Sequence, residues 1–165
     1  MTSEHLLHTI PPIYDGNSKI LILGSFPSVK SREVSFYYGH PQNRFWRVLA
    51  AVLGCAVPSS NEEKIALLHS HNIALWDVIK SCDIVGSSDS SIKNVVPNDI
   101  GAILSSCGIR QIYSNGKTSE KLFNKYIKDT VGRDTVALPS TSPANASYNL
   151  ERLTDSWSVI KNNIR

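Results

Sequence analysis

None of the three cysteines, Cys55, Cys82 and Cys107, lies close enough to another to form a C-x-x-C pair. That argues against a zinc or iron–sulfur site, and the odd count points to free thiols in a reducing cytoplasm, acting as small buried hydrophobes. Long apolar runs are also missing, so no membrane span is expected. Met1–His8 holds no basic stretch followed by an apolar block, so no secretory signal is expected there. A continuous basic run is absent too. The net charge of +3 and pI near 8.8 permit a nucleic-acid partner without requiring one. Any phosphate contact must then come from scattered lysines, hydroxyls and backbone amides.

What is present reads as one globular domain over 1–165, with 41% apolar and 19% charged residues. Strand-like and helix-like segments alternate. Lys19–Leu23 is a short aliphatic run ending at Gly24, the pattern of a strand buried on both faces. From Asn43 the spacing of Phe45, Trp46, Leu49, Val52 and Leu53 predicts a helix closed by Gly54. Ser60 and Glu63 form a capping box for a helix through Leu68, and Ile73–Ile79 reads as one strand. Serine-rich Ser81–Pro97 reads as a loop, after which Asn98 caps a helix ending at Gly108. Arg110–Tyr113 and Thr135–Leu138 are strands, Thr118–Ile127 is a helix, and Leu150–Ile164 is an amphipathic C-terminal helix. The alternation predicts an α/β fold, a three-layer α/β/α sandwich on a four-stranded, mainly parallel sheet. Ligands of such sheets gather at the carboxyl ends of the strands, where Gly24–Asn43 and Leu138–Ala146 lie.

Ser114–Thr118 (SNGKT) has the tail of a phosphate-binding P-loop, but Gln111 stands where the leading glycine belongs. No cradle of backbone amides follows, so an NTPase is rejected. The two loops carry a richer signal. The first runs Gly24-Ser25-Phe26-Pro27-Ser28, then Phe36-Tyr37-Tyr38-Gly39-His40-Pro41-Gln42-Asn43-Arg44-Phe45-Trp46; the second is Leu138-Pro139-Ser140-Thr141-Ser142-Pro143-Ala144-Asn145-Ala146. Three consecutive aromatics between polar segments do not suit a buried strand, so one or two are expected to pack and another to serve a site.

With Ala74–Val78 (ALWDV) and Ser114–Lys117 (SNGK), these segments resemble in order and spacing the uracil-DNA glycosylase superfamily. They are most similar to its deoxyinosine (hypoxanthine-DNA) branch, and nearer to the mismatch-specific uracil/thymine enzymes than to the main uracil ones. The resemblance implies a monofunctional glycosylase, needing no metal or other cofactor, that flips a deaminated base out of DNA and hydrolyses its N-glycosidic bond. It also implies that Tyr38 stacks on the base and that Ser25, Phe26 and Asn115 line its pocket. Related branches carry a water-positioning Asn or Asp where this chain has Phe26, which moves the catalytic role to Asn43. Asn43 is also well placed to cap the following helix. Ser140, Ser142, Asn145 and Lys117 are expected to grip DNA, without a catalytic histidine in the second loop. Glu33 is a candidate general base with solvent as its ordinary fate, and Asp77 ends a strand where it can tie down the next loop. The expected partner is DNA holding deaminated bases, bound by a monomer. A mismatch-specific uracil enzyme and a non-catalytic lesion-binding module are the alternatives.

Overall fold

In the computed structural model, which describes residues 2–86 and 88–165, the chain opens with a short strand, β1 (Glu4–Leu7), that sequence periodicity does not announce. It then enters the aliphatic strand β2 (Ile20–Gly24), buried at every residue. The central sheet is parallel throughout, with β2 between β3 (Ile73–Asp77) and β6 (Gln111–Asn115), and β7 (Thr135–Leu138) at the edge beyond β6. Successive residues of β2 point to opposite faces, so each face needs its own cover. Ile20 and Ile22 pack with α2 (Phe45–Leu53), α3 (Asn61–Ser70) and α7 (Leu150–Trp157). Leu21 and Leu23 pack with α4 (Ile100–Ser106) and α5 (Lys117–Tyr126), and Val131 of the short α6 (Lys128–Val131) packs against the same cluster. Helices on both faces of a four-stranded parallel sheet make the three layers expected from the sequence.

The helix ends follow local chemistry. Gly54 closes α2 in the left-handed conformation at φ 70°. Ser60 and Glu63 form the full capping box of α3. The C-terminal apolar rhythm continues past α7 into a 3-10 segment, Ser158–Asn162, which keeps Ile160 and Ile164 against the core. Trp157 is fully buried and donates its indole N–H to Pro139 O at 2.9 Å, so α7 holds the base of the second loop.

Three expectations need correction. Ile73–Ile79 is not one strand, and Ser81–Pro97 is not simply a loop. The chain leaves the central sheet after Asp77, because Val78 N and Ile79 N donate to Gly24 O and Ser25 O at 2.9 and 3.1 Å, turning it across the end of β2. It continues as β4 (Ile79–Ile84), which pairs antiparallel with β1 and with β5 (Lys93–Pro97) in a second, three-stranded sheet. Ile79, Cys82 and Ile84 face the core while Lys80 stays exposed. Asn98 does not cap α4; Asp99 does, accepting from Ala102 N at 3.2 Å. The Asn98 amide instead donates to Asp77 O at 2.9 Å and Ile79 O at 3.1 Å, stitching the junction between the sheets.

Asn98→Ala leaves two carbonyls at that buried junction without their donor, so unfolding free energy should fall by about 2 kcal/mol. Urea denaturation measures this; a loss under about 0.5 kcal/mol, the level of an ordinary surface substitution, would contradict the stitching role.

Candidate active site

The first loop starts at the carboxyl end of β2. Ser28 caps a short helix, α1 (Val29–Val34), accepting from Ser31 N at 3.1 Å, and Ser31 in turn accepts from Gly39 N at 2.9 Å. The helix ends on Ser35, and the chain reverses again at Tyr38; both have φ near 54° (54° and 53°), a region non-glycine residues rarely occupy. Those two reversals sort the aromatics. Phe36 and Tyr37 are buried in the core, where the Tyr37 hydroxyl donates to Pro11 O at 2.7 Å. Tyr38 turns away to the cleft. One ring face lies on Phe45, with centroids 4.1 Å apart and planes 20° from parallel. Tyr38 also borders the cleft.

Asn43 precedes α2. Its Oδ1 accepts from Phe45 N at 2.9 Å and from the Thr141 hydroxyl at 2.9 Å. Because a backbone N–H can only donate, the Phe45 contact fixes which end of the amide is oxygen. The expected cap is therefore real in chemistry, although the residue at the cap position itself is Arg44, whose side chain does not cap. The Asn43 NH2 group has no hydrogen-bond partner among the described residues, and Asn43 borders the cleft. Thr141 is fully buried; its hydroxyl also accepts from Asn115 Nδ2 at 3.0 Å, and its N–H donates to Asn115 Oδ1 at 3.0 Å. Asn43, Thr141 and Asn115 thus form one chain from the first loop through the second to the end of β6.

Arg44 reinforces that junction. Its guanidinium donates to Ser142 O at 2.8 Å, to Asn145 O at 3.1 Å and to Tyr148 O. The second loop also closes on itself, with Ser142 N donating to Ser140 Oγ at 3.1 Å, Ala144 N to Ser142 Oγ at 3.2 Å, and Asn145 Nδ2 to Ser140 O at 3.0 Å. Ser114–Thr118 joins the end of β6 to the start of α5 through Gly116, which has φ 95° and where an added Cβ would lie 3.1 Å from Ser140.

At the deep end stands Asp77, buried, at the junction of β3 and β4. A Cβ on Gly24 would lie 2.3 Å from Asp77 Oδ1 and 3.2 Å from the Tyr38 hydroxyl, so only glycine fits where both groups converge. The Tyr38 hydroxyl is buried without a hydrogen-bond partner. Burial first, then the Asp77 charge, pushes its pKa far above the ordinary tyrosine value, so it remains a neutral donor, with nearby Asn115 partly offsetting the shift. Asp77 Oδ2 is 2.7 Å from His8 Nε2.

Ser25, Phe26, Tyr38, Asn43, Asn115, Lys117, Ser140, Ser142 and Asn145 all border one cleft of about 1150 Å³, at the carboxyl edge of the sheet. Glu33 lies outside it, exposed and 3.7 Å from Lys30. His40 is on the rim, where its Nδ1 accepts from Gln42 N at 3.0 Å. Sequence reasoning missed Thr141 as the central link, Arg44 as the loop anchor, and His8. The first two stood inside the quoted motifs; His8 carried no local signal. Among the described residues no group of three or more His, Cys, Asp or Glu could hold a metal ion, and no helix is long and apolar enough to cross a membrane.

A profile of the uracil DNA glycosylase superfamily matches residues 11–162. The chain belongs to that superfamily. It is 36% identical over 137 residues to a hypoxanthine DNA glycosylase from Methanosarcina barkeri (strain Fusaro / DSM 804), covering 82% of this chain and 85% of that one. To a protein of the same name from Methanosarcina acetivorans it is 34% identical over 152 residues, covering 91% and 94%. It is also similar to a solution NMR structure from Methanosarcina acetivorans, provisionally assigned as a uracil DNA glycosylase, with a TM-score of 0.79 at 33% identity, covering 92% of this chain and 94% of that one. The loops that define the superfamily resemblance are those that build the cleft.

Thr141→Val removes the hydroxyl between Asn43 and Asn115 while preserving shape. Stability should drop by about 1–2 kcal/mol in urea denaturation, since the Asn115 NH2 group is left unpaired in a half-buried setting. An unchanged midpoint and slope would refute the linking role.

Proposed function

We propose that this protein is a DNA repair glycosylase that flips a deaminated purine, hypoxanthine in deoxyinosine, into the cleft and hydrolyses its N-glycosidic bond, leaving an abasic site. The observation that carries this reading is the state of Asn43, a residue of the cleft wall: its oxygen is committed twice, and its NH2 group has no hydrogen-bond partner among the described residues. An amide donor cannot deprotonate water. It can stabilise the negative charge that develops on the departing base, or hold the attacking water by its oxygen, and donors placed in advance in a half-buried cleft are well suited to this. Cleavage then relies on a leaving group able to carry charge and an anomeric carbon open to water.

The free face of Tyr38 gives the flipped base a flat surface, which offsets part of the roughly few kcal/mol that unstacking costs. The deep end of the cleft is an acceptor, Asp77 Oδ1, beside a neutral donor, the Tyr38 hydroxyl. Hypoxanthine presents the complementary edge, N1–H beside O6. Adenine presents a bare N1 beside an amino group. The relatives' names support a purine substrate, and so does Phe26, a ring that cannot position water as the Asn or Asp of related branches does. Ser140, Ser142, Asn145 and exposed Lys117 border the mouth, where they would meet phosphates. Every group this reading needs comes from one copy of the chain, so the protein would act as a monomer and as a single domain.

Duplexes carrying deoxyinosine, uracil or xanthine, followed by alkaline strand scission, test the activity; deoxyinosine should be cut, and cleavage of none would leave a lesion-binding module as the better account. Asn43→Ala should slow cleavage of the deoxyinosine duplex by about 100-fold or more while duplex affinity stays within about threefold, the expected signature of losing a donor to the developing charge. Unchanged cleavage by this variant would overturn the assignment.

A further inference from the structure

The small antiparallel sheet contributes no residue to the chemistry described so far, yet it delivers one side chain to the deep end of the cleft. His8 follows β1 directly, its N–H donating to Lys80 O at 2.7 Å and so extending the β1–β4 ladder by one residue. Its Nε2 meets Asp77 Oδ2 at 2.7 Å, with side chains only 1% and 6% exposed. The rings of Phe26 and Tyr37 pack around the imidazole, each with its centroid 6.1 Å away. Phe26 thus helps keep water from the pair, at the position where related branches place a polar residue. Among the described residues His8 is the sole ion-pair partner of Asp77.

We propose that His8 is a positioning residue that keeps Asp77 a hydrogen-bond acceptor, so that the cleft takes bases with a ring N–H beside a carbonyl and turns away those with a bare ring nitrogen. This rests on the glycosylase reading above and deepens it. The two carboxylate oxygens divide the work: Oδ2 is taken by His8, and Oδ1 is left at the wall beside Gly24. The backbone at Asp77 and just after it is pinned by Asn98, so the direction of Oδ1 is set by the imidazole and not by a mobile loop. A fixed anionic oxygen accepts the N1–H of hypoxanthine and repels the N1 lone pair of adenine. Xanthine and uracil share the accepted edge, which makes the lactam, and not the purine, the feature read here. Without the imidazole Oδ2 loses its partner and the carboxylate is free to turn, so Oδ1 no longer holds its direction beside Gly24. The acceptor that meets N1–H is then no longer fixed, and discrimination would be lost even though no residue touching the base had changed.

The test is binding of duplexes holding a 2′-fluoroarabino nucleotide, which resists cleavage, with either hypoxanthine or unsubstituted purine as the base; purine lacks both O6 and N1–H. The wild-type protein should bind the hypoxanthine duplex about tenfold or more tightly than the purine duplex, as expected for a hydrogen bond to a charged acceptor. In His8→Phe the two affinities should converge to within about threefold, chiefly by loss on hypoxanthine. His8→Gln, whose amide can still donate to Asp77, should restore most of the preference. A preference retained in His8→Phe overturns the proposal, as does an equal loss on both duplexes, which would mark a merely structural role. Absence of a preference in the wild-type protein also overturns it. Cleavage of an ordinary deoxyinosine duplex by the wild-type protein, run alongside, separates the two claims: its failure would refute the glycosylase reading whatever the affinity ratio.

Discussion

Thr141 is fully buried between two asparagines that arrive from opposite sides, one before α2 and one at the end of β6. A hydroxyl is the smallest group that can accept one hydrogen bond and donate another along a line, and this one does both. Its acceptor side is filled by Asn115 and its donor side by Asn43, and the Thr141 N–H holds the other end of the Asn115 amide. Asn43 is left with a donor in the cleft because this chain, together with the Phe45 N–H, consumes its oxygen. Loosening Thr141 would free two side chains at once, in a cleft whose hydrogen-bonding pattern depends on both.

The cleft is chemically lopsided, and packing accounts for it. Its floor is an aromatic face backed by a second ring, set by two backbone reversals with positive φ. Its deep end holds a buried carboxylate and a buried, neutral phenol, both pressed toward a glycine that leaves them room. Its mouth is built from a loop bonded to itself and to Arg44. A flat heterocycle with one donor and one acceptor on its inner edge suits such a space better than an aliphatic or flexible ligand.

Much of this was legible in the sequence because it depends on neighbours in the chain. The buried parallel strand, the capping box at Ser60 and the left-handed glycine at 54 are local patterns, and the loops are contiguous motifs. What was hidden depends on distance. The β4–β5 hairpin was masked by Lys80, Asp83 and a cluster of serines, which read as loop until a partner strand supplies hydrogen bonds. His8 and Asp77 are 69 residues apart, and neither is surrounded by anything that foretells the other. Asn98 looked like a helix cap because the next residue is one; the side chain that stitches two sheets and the side chain that caps a helix differ only in where the rest of the chain has gone.

The self-bonded second loop bears on kinetics as well as shape. Two carbonyls of this loop and that of Tyr148 just beyond it converge on one guanidinium, and Ser140, Ser142 and Asn145 are engaged within the loop itself. A segment arranged in this way has little freedom left to lose when a polyanion docks against it. Encounters with undamaged duplex would then be brief and nearly uniform, because no folding event is there to prolong them. The lifetime of a complex would be decided at the flipped base, which is where a protein surveying long stretches of DNA needs its dwell time to be spent.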